Sequence, residues 1–345
     1  MTTPEMFGPE EGRFESDPRR SIEARRNSDR GLETRFPGPS RDRRTSRAVT
    51  PQTGAPVAED DHLGFPLSDR QLEACLRAAL LEDGAYHDIA TAASVLSARR
   101  AHATIVARQS GILAGIPLAV AAFRLFDSNA ALRVDIDDGG RVTDGAPVVR
   151  ITALSHAILS AERVALNFLR HLSGIATLTA SYVEAVRGTS ARIVDTWKTT
   201  PGLRELEHYA ARAGGALGVK RDGLDVVQIR DSHLTAVNRD VAMIVRRARE
   251  LASDHTRIEI ACRSPAEVRI AVAAGVDAVL LDDLTPLQVR ECVEVASARV
   301  HTQVTGDVRL DAVRSFAQAG VDRIAVDALT QRAPALDLEL EFEAV

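Results

Sequence analysis

The chain has 345 residues, 45% hydrophobic and 26% charged, which gives room for about two globular domains. A formal charge of −5 and only 4% aromatic residues offer neither a basic face nor a stacking platform for nucleic acid, and no apolar run approaches the ~20 residues of a membrane helix. Three scattered cysteines, Cys75, Cys262 and Cys292, argue against a disulfide framework or a zinc site, and the absence of a charged-then-apolar leader makes a cytoplasmic protein the expectation.

Residues 1–60 hold seven of the 14 prolines, five glycines, 11 arginines and 11 acids without an apolar period, so a disordered tail is expected there. The pattern changes at Leu67. Leu67, Leu72, Leu76, Ala79 and Leu80 form one helical stripe over 67–82, with Ser68 as the N-cap. A strand over 101–107 leads through a Gly-rich turn at 111–117 into a helix. Strands at 132–136 and 147–151 follow, with Gly-containing turns between them, and a long helical pattern then runs over 160–186.

Beyond this α+β block, short apolar runs end in polar residues at Asp195, Asp231, Cys262, Asp282, Thr305 and Asp327, with helical patterns at 265–274, 286–296 and 310–319. The last four runs end near 261, 282, 305 and 327, a spacing of 21 to 23 residues. Strand plus helix at that period predicts a (β/α) barrel or a doubly wound sheet. Catalytic groups of a barrel sit at the carboxyl ends of its strands, which nominates Asp195, Asp231, Asp282, Thr305 and Asp327.

The basic residues add a clue. Of 43, only Lys198 and Lys220 are lysines, 22 residues apart. Such a bias reflects coding composition first, but a lysine that survives it points to a need for an amine rather than a guanidinium. Lys198 lies in the densest polar segment, Asp195-Thr196-Trp197-Lys198-Thr199-Thr200-Pro201-Gly202-Leu203-Arg204. A cation, hydroxyls and backbone donors converging at a strand end suit an anionic substrate, although ordinary capping of a strand-to-helix connection would use the same residue types.

Here the sequence resembles the quinolinate phosphoribosyltransferase family (nicotinate-nucleotide pyrophosphorylase, carboxylating). The similarity runs from about Leu67 to Leu340 and is clearest at 162–169, 172–177, 195–204, 280–282 and 333–337. It implies an α/β protein with an N-terminal α/β sandwich over 61–168, to which 331–345 returns, and an open α/β barrel over 169–330. It also implies a pentosyltransferase, homodimeric with a shared active site, that needs Mg²⁺ but no organic cofactor. The family joins phosphoribosyl pyrophosphate to a small heteroaromatic acid, quinolinate, with loss of CO₂.

By this resemblance the family's Glu-Arg pair falls on Glu162 and Arg163, its motif lysine on Lys198, and its metal- or ribose-side aspartate on Asp282. Lys198 and Asp282 are therefore the expected catalytic residues, Asp282 also the metal ligand. Arg163, Trp197, Lys220, Arg230, Thr305 and Gly306 are the expected substrate contacts. The departures are equally specific. Trp197 replaces a carboxylate-binding arginine, and Val219 and Lys220 stand for a His-Arg pair. Ala261 replaces the catalytic glutamate, leaving Glu259, whose side chain is expected to face away from that of 261. Asp307 and Asp327 replace phosphate-side glycines and would repel phosphate unless Mg²⁺ or an arginine intervenes. A pocket missing two carboxylate partners should prefer a less acidic ring than quinolinate, because an unpaired buried charge is costly. Three readings follow: a divergent phosphoribosyltransferase, a catalytically silent paralogue that binds a ligand or partner subunit, and an ordinary pyrophosphorylase. His156, His171 and His208 lack metal spacing and read as structural or exposed. His233 reads as either structural or catalytic, and Cys262 as buried packing.

Overall fold

A computed structural model describes residues 63–94, 99–218, 226–253 and 255–344. The tail expected at 1–60, together with Val219 and Lys220, lies outside the described residues. In chain order the strands are β1 (Arg100–Ala107), β2 (Gly111–Ile112), β3 (Ala131–Val134), β4 (Arg141–Val142), β5 (Pro147–Leu154), β6 (Arg192–Val194), β7 (Val226–Ile229), β8 (Arg257–Cys262), β9 (Ala278–Asp282), β10 (His301–Thr305), β11 (Arg323–Ala325) and β12 (Leu338–Ala344).

Four of them form an antiparallel sheet in the order β12-β1-β5-β3, so the end of the chain pairs with its first described strand. Ala101, Ala103, Ile105 and Ala107 alternate onto the buried face of β1 and meet Ile151 and Ala153 of β5 and Leu338 of β12 in one core. The helix Asp69–Glu82 buries Leu76 and Leu80 completely. At its start the Ser68 amide donates to Gln71 Oε1 at 3.0 Å, which satisfies a donor that the helix cannot.

The 31-residue helix Ser155–Ala185 packs against β1, β5 and β12 and also against β6. Leu169, Leu172 and Ile175 on it are fully buried. The C-terminal stretch crosses this helix at Gly174, where any Cβ would run into the Pro334 carbonyl oxygen, so only glycine permits the approach.

Six strands form an all-parallel sheet in the order β6-β11-β10-β9-β8-β7. β6 returns beside β11 rather than beside β7, which curls the sheet into a barrel open between β6 and β7. Helices follow β8 and β9 at once: Ser264 and Thr285 cap Pro265–Ala273 and Pro286–Ala296, each accepting from a backbone amide in the first turn. On β8, Ile258, Ile260 and Cys262 point outward beneath the helices, while Glu259 and Ala261 both face the barrel interior. This corrects the expectation that Glu259 faces away from position 261. Strand side chains alternate with period two, so residues two apart share a face.

Candidate functional site

The carboxyl ends of the parallel strands enclose a cleft of about 330 Å³. β6 stops at Val194 and delivers Asp195, Trp197 and Lys198 to it. β7 leads to Arg230 and Asp231, β9 ends in Asp282, β10 in Thr305 and Gly306, and β11 leads to Asp327.

The segment after β6 is held from behind. Asp195, 6% exposed, pairs with His208 Nδ1 on the helix Arg204–Ala213. The Trp197 ring meets the His208 edge at 6.4 Å and the Arg204 guanidinium at 5.3 Å, so it stands as one wall of the cleft. Glu207, fully buried, accepts from His171 Nε2 at 2.8 Å and from the Thr200 amide at 2.9 Å. Burial alone would raise its carboxyl pKa, but the bonds from His171 and Thr200 outweigh that and hold it below the usual carboxylate range. His171 and His208 are therefore structural.

Lys198 Nζ donates to Asp327 Oδ2 at 2.6 Å, and the Lys198 carbonyl accepts from Thr330 Oγ1 at 2.6 Å. Asp307 accepts from Arg332 Nη1 at 2.8 Å. The two acids expected to oppose phosphate, Asp327 and Asp307, are thus each met by a basic side chain. Thr305 Oγ1 donates to Asp282 Oδ1 at 3.1 Å. Gly306 has φ +116°, and a Cβ there would sit 3.5 Å from Asp283 Oδ1, so the turn keeps its backbone open toward the cleft. Asp231 is held by Arg239 at 2.9 Å and Arg263 at 3.4 Å, its pKa lowered chiefly by the Arg239 hydrogen bond. His233 Nδ1 accepts from the Arg230 amide at 3.1 Å and does not line the cleft, which fits a structural role.

Arg163 is not brought to this chain's own cleft; its exposed guanidinium lies 3.4 Å from Asp83. Cys262 is buried on the outer face of β8, its thiol pushed up to about 12 by desolvation. Reading strand ends missed Gln228, Gln303 and Arg323, which line the deeper cleft. Counting back by two from Arg230 and Thr305, and by four from Asp327, would have found all three.

Among the described residues no group of three His, Cys, Asp or Glu side chains could cage a metal. Asp282, with Asp283 beside it, instead supplies the one or two hard carboxylates suited to a Mg²⁺ that takes its other oxygens from water and substrate phosphates. No helix among the described residues is long and apolar enough to cross a membrane.

Family models agree with this architecture. The quinolinate phosphoribosyl transferase N-terminal domain matches residues 88–173 and its C-terminal domain residues 175–341. The probable nicotinate-nucleotide pyrophosphorylase [carboxylating] of Bacillus subtilis is 33% identical over 271 residues, covering 79% of this chain and 93% of that one. The Mycobacterium leprae nicotinate-nucleotide pyrophosphorylase is 34% identical over 285 residues, 80% of this chain and 100% of its own. The crystal structure of NadC from Streptococcus pyogenes superposes with a TM-score of 0.76 at 33% identity, covering 81% of this chain and 99% of that one. With both halves matched in order, the chain belongs to the quinolinate phosphoribosyltransferase family of pentosyltransferases.

Proposed function

We propose that the protein transfers phosphoribose from phosphoribosyl pyrophosphate to a heteroaromatic acid less acidic than quinolinate, as a cytoplasmic homodimer. The observation that carries this is the convergence of Lys198, Asp282, Thr305 and Gly306 at one barrel mouth walled by Trp197. The Gly306 turn lets backbone amides approach phosphate oxygens, and Lys198 and Arg230 supply positive charge. Asp282 would face the ribose, and with Asp283 it would hold Mg²⁺. When bound, Mg²⁺ would offset the charge of the departing pyrophosphate. Trp197 offers a flat apolar face to the acceptor ring. Exposed Arg163 would serve a neighbouring subunit's cleft in the dimer, and Lys220 would add a further cation for the acceptor.

The pairing of Asp327 with Lys198 and of Asp307 with Arg332 favours donor binding, because it offsets the like charge that these acids would otherwise present to phosphate. One observation favours the silent-paralogue reading: Ala261 leaves its strand end without a carboxylate to steady a cationic ribose. Pyrophosphate release from the phosphoribosyl donor and Mg²⁺ with quinolinate, nicotinate or other heteroaromatic monoacids decides among the readings. Turnover of a monoacid with little turnover of quinolinate is the expected result. In Trp197→Arg the preference should move toward quinolinate. Wild-type turnover of quinolinate at ordinary enzyme rates would make this an ordinary pyrophosphorylase. Binding without any turnover would leave the silent paralogue.

A further inference from the structure

Deeper in the cleft lies a charge that the proposed chemistry does not yet use. Arg323 begins β11 and lines the cleft, yet it is only 8% exposed. Among the described residues its side chain has no partner at hydrogen-bond or ion-pair distance, and Glu259 and Asp322 act on it only at longer range. Its partners along the sheet are Gln303 on β10 and Arg192 on β6, neither of them an acid. The carboxylate nearby in the interior, Glu259, is already engaged: Gln228 Nε2 donates to one oxygen at 2.9 Å, and Arg257 Nη2 lies 3.8 Å from the other. Arg257 Nη2 is itself buried without an acceptor. Asp322 accepts from the Thr302 amide at 2.8 Å and its hydroxyl at 2.9 Å, and its side chain is 51% exposed.

The interior therefore holds two guanidiniums against one buried carboxylate. Desolvation, and then repulsion from Arg257, lower the Arg323 pKa, which reflects how poorly the charge is solvated there. An unpaired buried guanidinium is costly to the free protein, and an arriving anion would relieve that cost. Around it the cleft is walled by Val194, Ala261, Leu280 and Ala325. A cationic fork among apolar walls matches a flat ring carrying one carboxylate, since two parallel N–H groups of a guanidinium meet both carboxylate oxygens.

We infer that Arg323 is a specificity-determining residue that receives the single carboxylate of the acceptor at the floor of the cleft. This rests on the reading that a heteroaromatic acid enters the cleft, and it adds where the acid group goes and why one is preferred to two. At the floor a second carboxylate on the ring would meet only apolar wall and the like charge of Glu259. Gln228 and Gln303 flank the floor as neutral amides that can donate to the same group.

Equilibrium binding tests this independently of turnover. Nicotinate and its uncharged amide, nicotinamide, are titrated calorimetrically into the full-length wild type, Arg323→Met and Gln303→Glu, and each protein is also titrated with phosphoribosyl pyrophosphate. Wild type is expected to prefer the acid by roughly thirtyfold or more, the usual effect of a desolvated charge pair. In Arg323→Met the ratio should fall to near one. In Gln303→Glu it should also collapse, because the new carboxylate sits on the neighbouring strand in register with Arg323 and takes up its charge. Donor affinity should change less than about threefold in both, and melting curves should show both folded. The assignment is overturned if wild type does not distinguish acid from amide, if Arg323→Met keeps the ratio, or if that variant loses donor binding instead. A wild type that prefers the acid, with the preference lost in both variants, but that releases no pyrophosphate with any acid would retain this assignment while refuting the transferase reading.

Discussion

At the rim of the cleft Asp231 is held by Arg239 and Arg263, Asp327 by Lys198 and Asp195 by His208, whereas at the floor Arg323 has no acid within ion-pair distance, Glu259 and Asp322 acting only from farther off. The two levels are built from the same strands, a few residues apart. A ligand binding at the rim exchanges an internal ion pair for a new one, and the two nearly cancel. A ligand at the floor supplies a partner that the folded chain lacks. Affinity should accordingly come from below, while the rim contributes orientation and chemistry.

The sharpest way to break this contrast is at Asp282, the rim acid that accepts from a hydroxyl, that of Thr305, rather than from a cation. If the chemistry is concentrated at the rim, Asp282→Asn should lower kcat by roughly 10²–10³, the range for losing a group that stabilises developing charge. KM for the acceptor should stay within a few-fold. Steady-state pyrophosphate release measures both. Undiminished kcat would remove Asp282 from the reacting end of the cleft.

What the sequence made legible follows the same division. Strand ends could be read because short apolar runs close on polar residues, the last four at a repeat of 21 to 23, and five of these ends, Asp195, Asp231, Asp282, Thr305 and Asp327, do line the cleft. The all-but-absent lysine made Lys198 visible. The floor was less legible because Gln228, Gln303 and Arg323 sit inside apolar runs and resemble ordinary strand residues. Glu259 was misplaced through the period of the strand itself: two residues apart means the same face, and Glu259 and Ala261 share the cleft. Asp307 and Asp327 read as repulsive because their cations are remote along the chain. Lys198 lies 129 residues from Asp327, and Arg332 lies 25 from Asp307. No local pattern reports such a pair.

The support behind the rim gives an intermediate effect. Glu207 fixes the loop that carries Lys198 through the Thr200 amide and ties that loop to His171 on the long helix. Glu207→Gln replaces charged hydrogen bonds in a buried setting, so a loss of about 1.5–3 kcal/mol in denaturant unfolding is expected. The folded-state pKa of Glu207 is lowered. Its contribution is therefore complete above the unfolded value of about 4.3 and is lost as pH falls through the folded value. The stability gap between wild type and variant should narrow as the pH falls below about 4. A gap that widens in acid would reverse the assigned role.

The smallest effect tests whether rim pairing really competes with ligand. Lys198 is 60% exposed on its side chain and its pair with Asp327 is open to water, so the bond itself is weak despite its 2.6 Å length. Exposed pairs contribute about 0.2–1 kcal/mol, and releasing Lys198 from Asp327 can return no more than that to an incoming phosphate. Asp327→Asn keeps the side-chain shape, removes the competing charge and should tighten phosphoribosyl pyrophosphate binding by roughly two- to fivefold. The gain should shrink as ionic strength rises, because screening weakens both the lost repulsion and the freed attraction. Calorimetric titration at low and high salt reads this directly. Weaker binding in Asp327→Asn would mean that Asp327 positions Lys198 for the donor rather than withholding it, and the rim would then be preorganised by its ion pairs instead of taxed by them.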